Sequence, residues 1–192
     1  MIDCPYTKEF LDWAALDRHT LSVEDGVWRL TDPGAELRYY IRLSEAGYTL
    51  TFAERGGDEG FEMSAYDIAV IERYLTDVFG SDIRDSREFP DIMPSPLPLQ
   101  INNIAPGYTL KEVGEARVAL LNWRGAVRAV MYGDTKTNAF TPVGFSWIVD
   151  ASLADLRASY LDPDGLPLFP GCLFGPGAVG SLGGGKGVGC QS

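Results

Sequence analysis

The sequence predicts an α+β domain with mainly antiparallel strands and about three helices. Apolar residues recur at helical spacing in three segments, at about 7–18, 64–79 and 151–160, and they alternate with polar residues in most of the chain between them. Tight-turn dipeptides separate the alternating segments, which favours antiparallel hairpins over parallel crossovers. The chain has 192 residues, 45% hydrophobic and 22% charged, which suits a folded domain with its own core.

The first third of the chain is predicted to form one helix followed by hairpins. Thr7 is a suitable N-cap, and one helical face is apolar: Phe10, Leu11, Trp13, Ala14 and Leu16. Asp25-Gly26 between two short apolar runs is a hairpin signal, and Asp32-Pro33-Gly34 marks a second turn. Residues 36–43 and 48–53 alternate between apolar and polar, which predicts half-buried strands.

A second helix is predicted to begin at Ser64, with Asp67 three residues later as in a capping box. Its core stripe is Ile68, Ile71, Leu75, Val78 and Phe79, and Gly80 suits the C′ position after its end. Prolines then interrupt any regular pattern, so residues 81–103 are interpreted as a Pro-rich connector.

The second half repeats the order of strands followed by a helix. Residues 108–111, 116–123 and 126–132 favour strands around an Arg124-Gly125 turn, and 145–149 read as a short strand. Asp150 or Ser152 is expected to cap the last helix. Residues 1–170 are therefore predicted to form one α+β domain. Within it, halves 1–80 and 104–170 form a weak internal β-β-α repeat, or resemble one another by chance.

Residues 171–192 differ from the rest, because they hold nine glycines and a single charged residue, Lys186. The string Gly180 to Gly187 has the glycine spacing of a phosphate loop, but Gly187 stands where a magnesium-binding Ser or Thr is needed. A nucleotide loop is therefore disfavoured. This Gly-rich C-terminal segment is either a passive tail or a segment that contact with another surface puts in order.

Charge limits the partners that the chain can take. Its net charge of −11 disfavours nucleic acid and anionic membranes. Residues 54–91 contain 11 acidic residues against four arginines. This stretch is either a solvated face or a docking surface for a basic partner, and Asp58 and Glu59 are its candidate binding residues.

Catalytic and metal sites find little support in the sequence. His19 is the single histidine and is expected at the end of the first helix, which leaves a small enzyme using His19 as a less favoured alternative. No metal or cofactor is predicted. Trp13, Trp28, Trp123 and Trp147 lie within apolar patterns and are predicted to be core residues.

A cytoplasmic location is expected. The first ten residues do not resemble an export signal, and no apolar run is long enough to span a membrane. The three cysteines are odd in number and lack a Cys-x-x-Cys spacing, which favours a reducing compartment over a disulfide framework.

Several short segments resemble one family of bacterial immunity proteins. They are residues 30–34 leading into 38–42, residues 71–75 with 78–80, residues 104–108 and residues 158–163, which read LTDPG, RYYIR, IERYL, VFG, IAPGY and ASYLDP. These segments are similar to the family of the immunity factor for the tuberculosis necrotizing toxin, an NAD glycohydrolase.

The resemblance implies an immunity protein (antitoxin) that binds a cognate secreted toxin domain, in a 1:1 complex, and covers its NAD cleft without catalysis. Gly184, Gly185, Lys186 and Gly187 could enter that cleft, with the Lys186 ammonium near the position of a phosphate. A regulatory or scaffold module is the alternative from a different class.

Overall fold

A computed structural model describes residues 4–95, 99–136, 138–170 and 172–174. Its principal feature is an eight-stranded sheet of order β1-β2-β3-β4-β5-β9-β8-β7, in which every neighbouring pair is antiparallel. The strands are β1 Thr20–Glu24, β2 Val27–Thr31, β3 Leu37–Ser44, β4 Gly47–Glu54, β5 Gly60–Ala65, β7 Tyr108–Gly114, β8 Arg117–Asn122 and β9 Val127–Tyr132. β6 (Asp91–Ile92) and β10 (Leu173–Phe174) form a separate two-stranded ribbon.

Four α-helices occur in the described residues, where the sequence predicted about three. They are α1 Lys8–Leu16, α2 Ile68–Ser86, α3 Phe140–Ser146 and α4 Leu153–Leu161, and a short 3₁₀ helix covers Ile101–Asn103. The α+β class with a mainly antiparallel sheet is confirmed. Since β5 pairs with β9, strands from both predicted halves lie in one sheet. The division into domains stays a prediction.

One face of the sheet is covered by helices, and the core lies between them. Sheet residues Trp28, Ile41 and Leu50 are at most 2% exposed and belong to the same apolar cluster as Leu75 and Phe79 of α2. The period-2 pattern of the strands sends alternate side chains to this face. Burial of these side chains is the main source of stability.

Helix α2 packs against α4 through two close contacts. A Cβ built on Gly80 would lie 2.4 Å from Cγ of Tyr160, so only glycine allows this approach. Four residues after Gly80, the fully buried Arg84 donates from its guanidinium to backbone carbonyls near the end of α4: those of Ser159, Tyr160, Asp162 and Pro163. These bonds compensate much of the cost of burying a cation.

Three local predictions about secondary structure were wrong or incomplete. Ser64 lies in β5, and Asp67 is the N-cap of α2, accepting from the N–H of Ala69. The helix does not end at Gly80 but continues to Ser86. Gly80 is not a cap residue, and its missing side chain allows the close approach of Tyr160. Residues 145–146 end helix α3 and residues 147–149 follow it, so the predicted strand at 145–149 is absent. The prediction failed because a short apolar run does not distinguish a strand from a helix.

Burial and cysteine state also differ in part from expectation. Trp13 and Trp28 are core residues as predicted, but Trp123 is 75% exposed and Trp147 is 36% exposed. Trp123 lies in the turn after β8, and Trp147 is the C-cap residue of α3, so neither belongs to a strand. Cys4 is a free thiol, whereas Cys172 is disulfide-bonded, so the expectation of reduced cysteines was wrong for Cys172.

Candidate protein-interaction surfaces

The acidic stretch 54–91 does not form a single acidic surface. Glu72 is fully buried and accepts from the N–H of Thr7 at 2.5 Å, although burial raises its pKa. Glu62 accepts from the hydroxyl of Tyr74, and Asp67 caps α2. These carboxylates therefore have structural tasks within the fold.

Asp77 of α2 is half-buried and is also bonded within the fold. It accepts a hydrogen bond from the hydroxyl of Tyr160, and desolvation raises its pKa to about 6. It lines a cleft of about 440 Å³ between α2, α3 and the connector. A carboxylate in this position costs stability when it is charged.

The exposed part of the stretch nearest the sheet is the loop between β4 and β5, which contains Asp58 and Glu59. Arg42 of β3 donates to both carboxylate oxygens of Glu59, at 2.7 and 2.9 Å. Thr51 of β4 donates to the same carboxylate at 2.5 Å, and the bonds from Arg42 lower the pKa of Glu59. Glu59 thus fixes the loop to the sheet by a bidentate pair.

Asp58 is exposed, and no described side chain forms an ion pair with it. The two predicted binding residues therefore differ in role. Glu59 holds the loop in place and is largely neutralised by Arg42, while Asp58 presents its charge to solvent.

The face of the sheet that carries no described helix has a different character, and sequence reasoning missed it. The strand register places five basic residues and one acidic residue, Glu24, on this face, and Glu59 of the loop between β4 and β5 adds a second carboxylate that is bound to Arg42. The basic residues are Arg29, Arg38, Arg42, Lys111 and Arg117. We call this surface the open face, and its cationic character contrasts with a chain of net charge −11.

Aromatic side chains accompany these cations on the open face. The guanidinium of Arg117 lies 4.1 Å from the ring centre of Phe61, and that of Arg42 lies 5.6 Å from the ring of Tyr40. Phe61, Arg117 and Tyr132 line a shallow depression of about 480 Å³, to which Glu62 and Glu115 also contribute. Arginine and aromatic residues are the types that dominate binding energy at protein interfaces.

One corner of the open face is apolar. Tyr66 follows β5, Val127 begins β9 and Trp123 lies in the turn between β8 and β9, so the three belong to adjacent strands. They are 83%, 56% and 75% exposed, respectively. The alternating pattern of the strands already contained the residues of the open face. A search for consecutive residues of like charge does not find them, because buried residues separate them along the chain.

His19 lies just after α1, as expected for a residue near the helix end. The residue is 5% exposed, and its ring stacks on Phe79 with ring centres 4.2 Å apart. Nδ1 is 3.1 Å from a carboxylate oxygen of Asp17, and neither ring nitrogen forms a hydrogen bond to a described residue. The surroundings are those of a packed aromatic ring, with no described Cys or Ser bonded to it as a nucleophile.

The remaining predictions concern the Gly-rich C-terminal segment, metal binding and membrane spans. Gly184, Gly185, Lys186 and Gly187 lie outside the described residues. Over residues 4–95, 99–136, 138–170 and 172–174, no group of three or more His, Cys, Asp or Glu side chains could hold a metal ion. None of the helices in these ranges is long and apolar enough to cross a membrane.

Comparison with known proteins identifies the family. A family model described as Immunity protein 61 matches residues 13–168, which is most of the chain. The chain belongs to the Immunity protein 61 family. The resemblance seen in the short sequence segments is thereby confirmed.

Similar proteins are found in mycobacteria. The chain is 32% identical over 170 residues to the Immunity factor for TNT of Mycobacterium tuberculosis (strain ATCC 25618 / H37Rv), covering 85% of this chain and 92% of the relative. The Immunity factor for TNT homolog of Mycobacterium bovis (strain BCG / Pasteur 1173P2) matches equally well. The solved structure of Rv3902c from M. tuberculosis has a TM-score of 0.74 and 30% identity, over 88% of this chain and 97% of that one.

Proposed function

We propose that this chain is an immunity protein that binds a cognate toxin domain of the NAD glycohydrolase type, 1:1, in the cytoplasm. The observation that carries the proposal is the 32% identity with the Immunity factor for TNT over 92% of that relative. Binding covers the NAD cleft of the toxin, so the substrate cannot enter. The immunity protein itself needs no catalytic group for this task.

The described surface supports such a role. An inhibitor of a lethal enzyme needs tight binding, of about nanomolar affinity, which corresponds to about −12 kcal/mol. A typical interface of this strength buries about 1,600 Å² in total. The broad open face offers exposed arginine and aromatic side chains, which are suited to an interface of this kind.

Two sets of residues carried over from the sequence are proposed as contributors. Asp58 and Glu59 would attract a basic part of the toxin, since Asp58 is exposed beside the fixed Glu59. The segment with Gly184, Gly185, Lys186 and Gly187 would enter the NAD cleft. Deletion of residues 175–192 tests the second contribution, because full inhibition by the truncated protein contradicts it.

Co-expression tests the function itself. The chain is expressed together with the toxin domain encoded beside it in its own genome, and growth, cellular NAD and co-purification are measured. We expect restored growth, preserved NAD and a 1:1 complex. Loss of NAD in the presence of a folded chain contradicts the proposal, and co-purification without protection favours a scaffold.

A further inference from the structure

The open face is cationic in an acidic protein, and this contrast identifies the chemistry of its partner. The whole chain has 16 basic and 27 acidic residues, yet strand positions on this face hold five basic residues and one acidic residue. A third of the chain's cations are therefore collected on one uncovered surface. Complementary potentials accelerate association and fix orientation.

Three of these cations are available to a partner. Arg38 donates only weakly to backbone carbonyls of Ala35 and Gly57, at 3.5 and 3.4 Å. Arg117 stacks on Phe61, and Lys111 is exposed on β7. Within the described ranges, none of the three has a carboxylate within ion-pair distance.

The remaining two cations are engaged within the fold. Arg42 holds Glu59 by the bidentate pair described above, and Arg29 lies 3.7 Å from Glu24. The charge that the face presents to a partner therefore comes mainly from Arg38, Lys111 and Arg117.

The apolar corner adds a second type of contact. Tyr66, Trp123 and Val127 expose large side chains on three adjacent strands, and the guanidinium of Arg124 lies 4.5 Å from the ring centre of Trp123. Exposed Trp and Tyr side chains become strong anchors when a partner excludes water from them.

We propose that the open face docks an acidic surface of the cognate toxin domain, with toxin carboxylates against Arg38, Lys111 and Arg117 and an apolar toxin segment against Trp123. This inference rests on the proposed function and goes beyond it, because it names the docking face and the charge of the partner's surface. A second copy of the chain is a poor occupant, since two cationic faces repel each other. Nucleic acid is opposed by the overall charge of −11.

Charge reversal at Arg117 tests the inference with a matched control. Arg117→Glu and Arg87→Glu change the net charge equally, but Arg87 lies at the C-terminus of α2, away from the open face. Association of each purified variant with the neighbouring toxin domain is followed at low and at high salt. We expect Arg117→Glu to reduce the association rate about 10-fold at low salt and less at high salt, and Arg87→Glu to change it less than about 2-fold.

Lys111→Glu provides a second variant in case Arg117→Glu disturbs the packing of Phe61, and thermal unfolding verifies that each variant folds. Equal rates for the open-face variants and Arg87→Glu overturn the inference, as does faster association of the open-face variants. Sedimentation of the chain alone detects a competing dimer, and a dimer that Arg117→Glu dissociates also overturns it. If wild-type protein neither binds nor protects against the toxin, the proposed function fails instead.

Discussion

The two faces of the eight-stranded sheet share the same strands but serve different purposes. On the covered face, alternate residues such as Trp28, Ile41 and Leu50 are almost completely buried beneath the helices. On the open face, the residues between them include Arg29, Tyr40 and Arg42, which reach solvent. A single period-2 pattern therefore encodes a core and an interaction surface at once. Changes on the first face should alter stability, and changes on the second should alter binding.

The contact between Gly80 and Tyr160 gives the largest expected effect on the covered side. In Gly80→Ala, the new Cβ would overlap Cγ, Cδ1 and Cδ2 of the Tyr160 ring at 2.4 to 2.6 Å. We expect a loss of about 3 kcal/mol or more in the free energy of unfolding, because α2 and α4 must separate. Chemical denaturation measures the change.

Gly144→Ala is the matched control for this prediction. Gly144 is also in a helix, but a Cβ there meets no atom within 4 Å. We expect unchanged or slightly increased stability, since Ala favours helix by up to about 1 kcal/mol. Equal changes in the free energy of unfolding for Gly80→Ala and Gly144→Ala would contradict the role of the ring contact, since only Gly80 faces Tyr160.

The same position shows how far sequence reasoning extends. The apolar stripe correctly predicted the existence of α2, but Gly80 was assigned to its end because glycine commonly terminates helices. Only the tertiary contact with Tyr160, 80 residues away in sequence, explains a glycine within the helix. Likewise, hairpins were predictable from Asp25-Gly26, but the pairing of β5 with β9 is not encoded by any local signal.

The candidate sites show a similar division. Asp58 and Glu59 were noticed because acidic residues are consecutive in the chain. The cations of the open face are separated by buried residues and by long stretches of sequence, as Arg38 and Lys111 illustrate. Their assembly depends on the strand order, which the sequence pattern does not specify.

Asp77 provides a pH-dependent test on the covered side. Burial raises its pKa from 3.8 to about 6, so folding favours the protonated form. Below about pH 4 the carboxyl is protonated in both states and does not affect the free energy of unfolding. As the pH rises from about 4 to about 6, ionisation of Asp77 lowers the free energy of unfolding, and above about pH 6 this loss stays constant. We expect Asp77→Asn to gain about 2 kcal/mol relative to wild type between pH 4 and pH 7, since the amide oxygen still accepts from Tyr160.

Denaturation curves of both proteins across this pH range measure the effect, and Asp58→Asn serves as the exposed control. A constant difference between wild type and Asp77→Asn at all pH values would mean that Asp77 has an ordinary pKa. Asp58→Asn should leave the stability profile nearly unchanged, because its carboxylate is exposed.

Two tryptophans, Trp28 in β2 and Trp123 in the turn after β8, compare the two faces. Trp28 is 2% exposed on the covered face, and Trp123 is 75% exposed at the apolar corner of the open face. Trp28→Ala should destabilise the protein by about 3–5 kcal/mol, a large part of the stability of a typical domain, so Trp28→Phe is the milder variant.

Trp123→Ala should change the unfolding free energy by less than about 0.5 kcal/mol and weaken toxin binding by about 1–2 kcal/mol, or about 10-fold. Calorimetric titration and denaturation separate the two quantities. Unchanged binding of Trp123→Ala would show that the apolar corner lies outside the interface. The cations of the open face would then be the main contacts with the toxin.

The smallest effect is expected at the acidic loop beside the open face. Asp58→Lys reverses a charge that no described side chain compensates, whereas Glu59→Gln also breaks the fixation of the loop by Arg42. If the loop attracts a basic part of the toxin, Asp58→Lys should slow association about 2- to 3-fold at low salt and have no effect at high salt.

Glu59→Gln should show a combined effect instead. Because Arg42 lowers the pKa of Glu59, the pair contributes stability above about pH 4.5, the ordinary pKa of a glutamate, and this contribution is lost as the pH falls. The unfolding free energy of Glu59→Gln should therefore depend less on pH below about 4.5 than that of the wild type. Its association with the toxin should also be slower. Faster association of Asp58→Lys would be the contrary result: the acidic surface of the toxin would then extend beneath the loop, and Asp58 would oppose the docking that Arg38 and Arg117 promote.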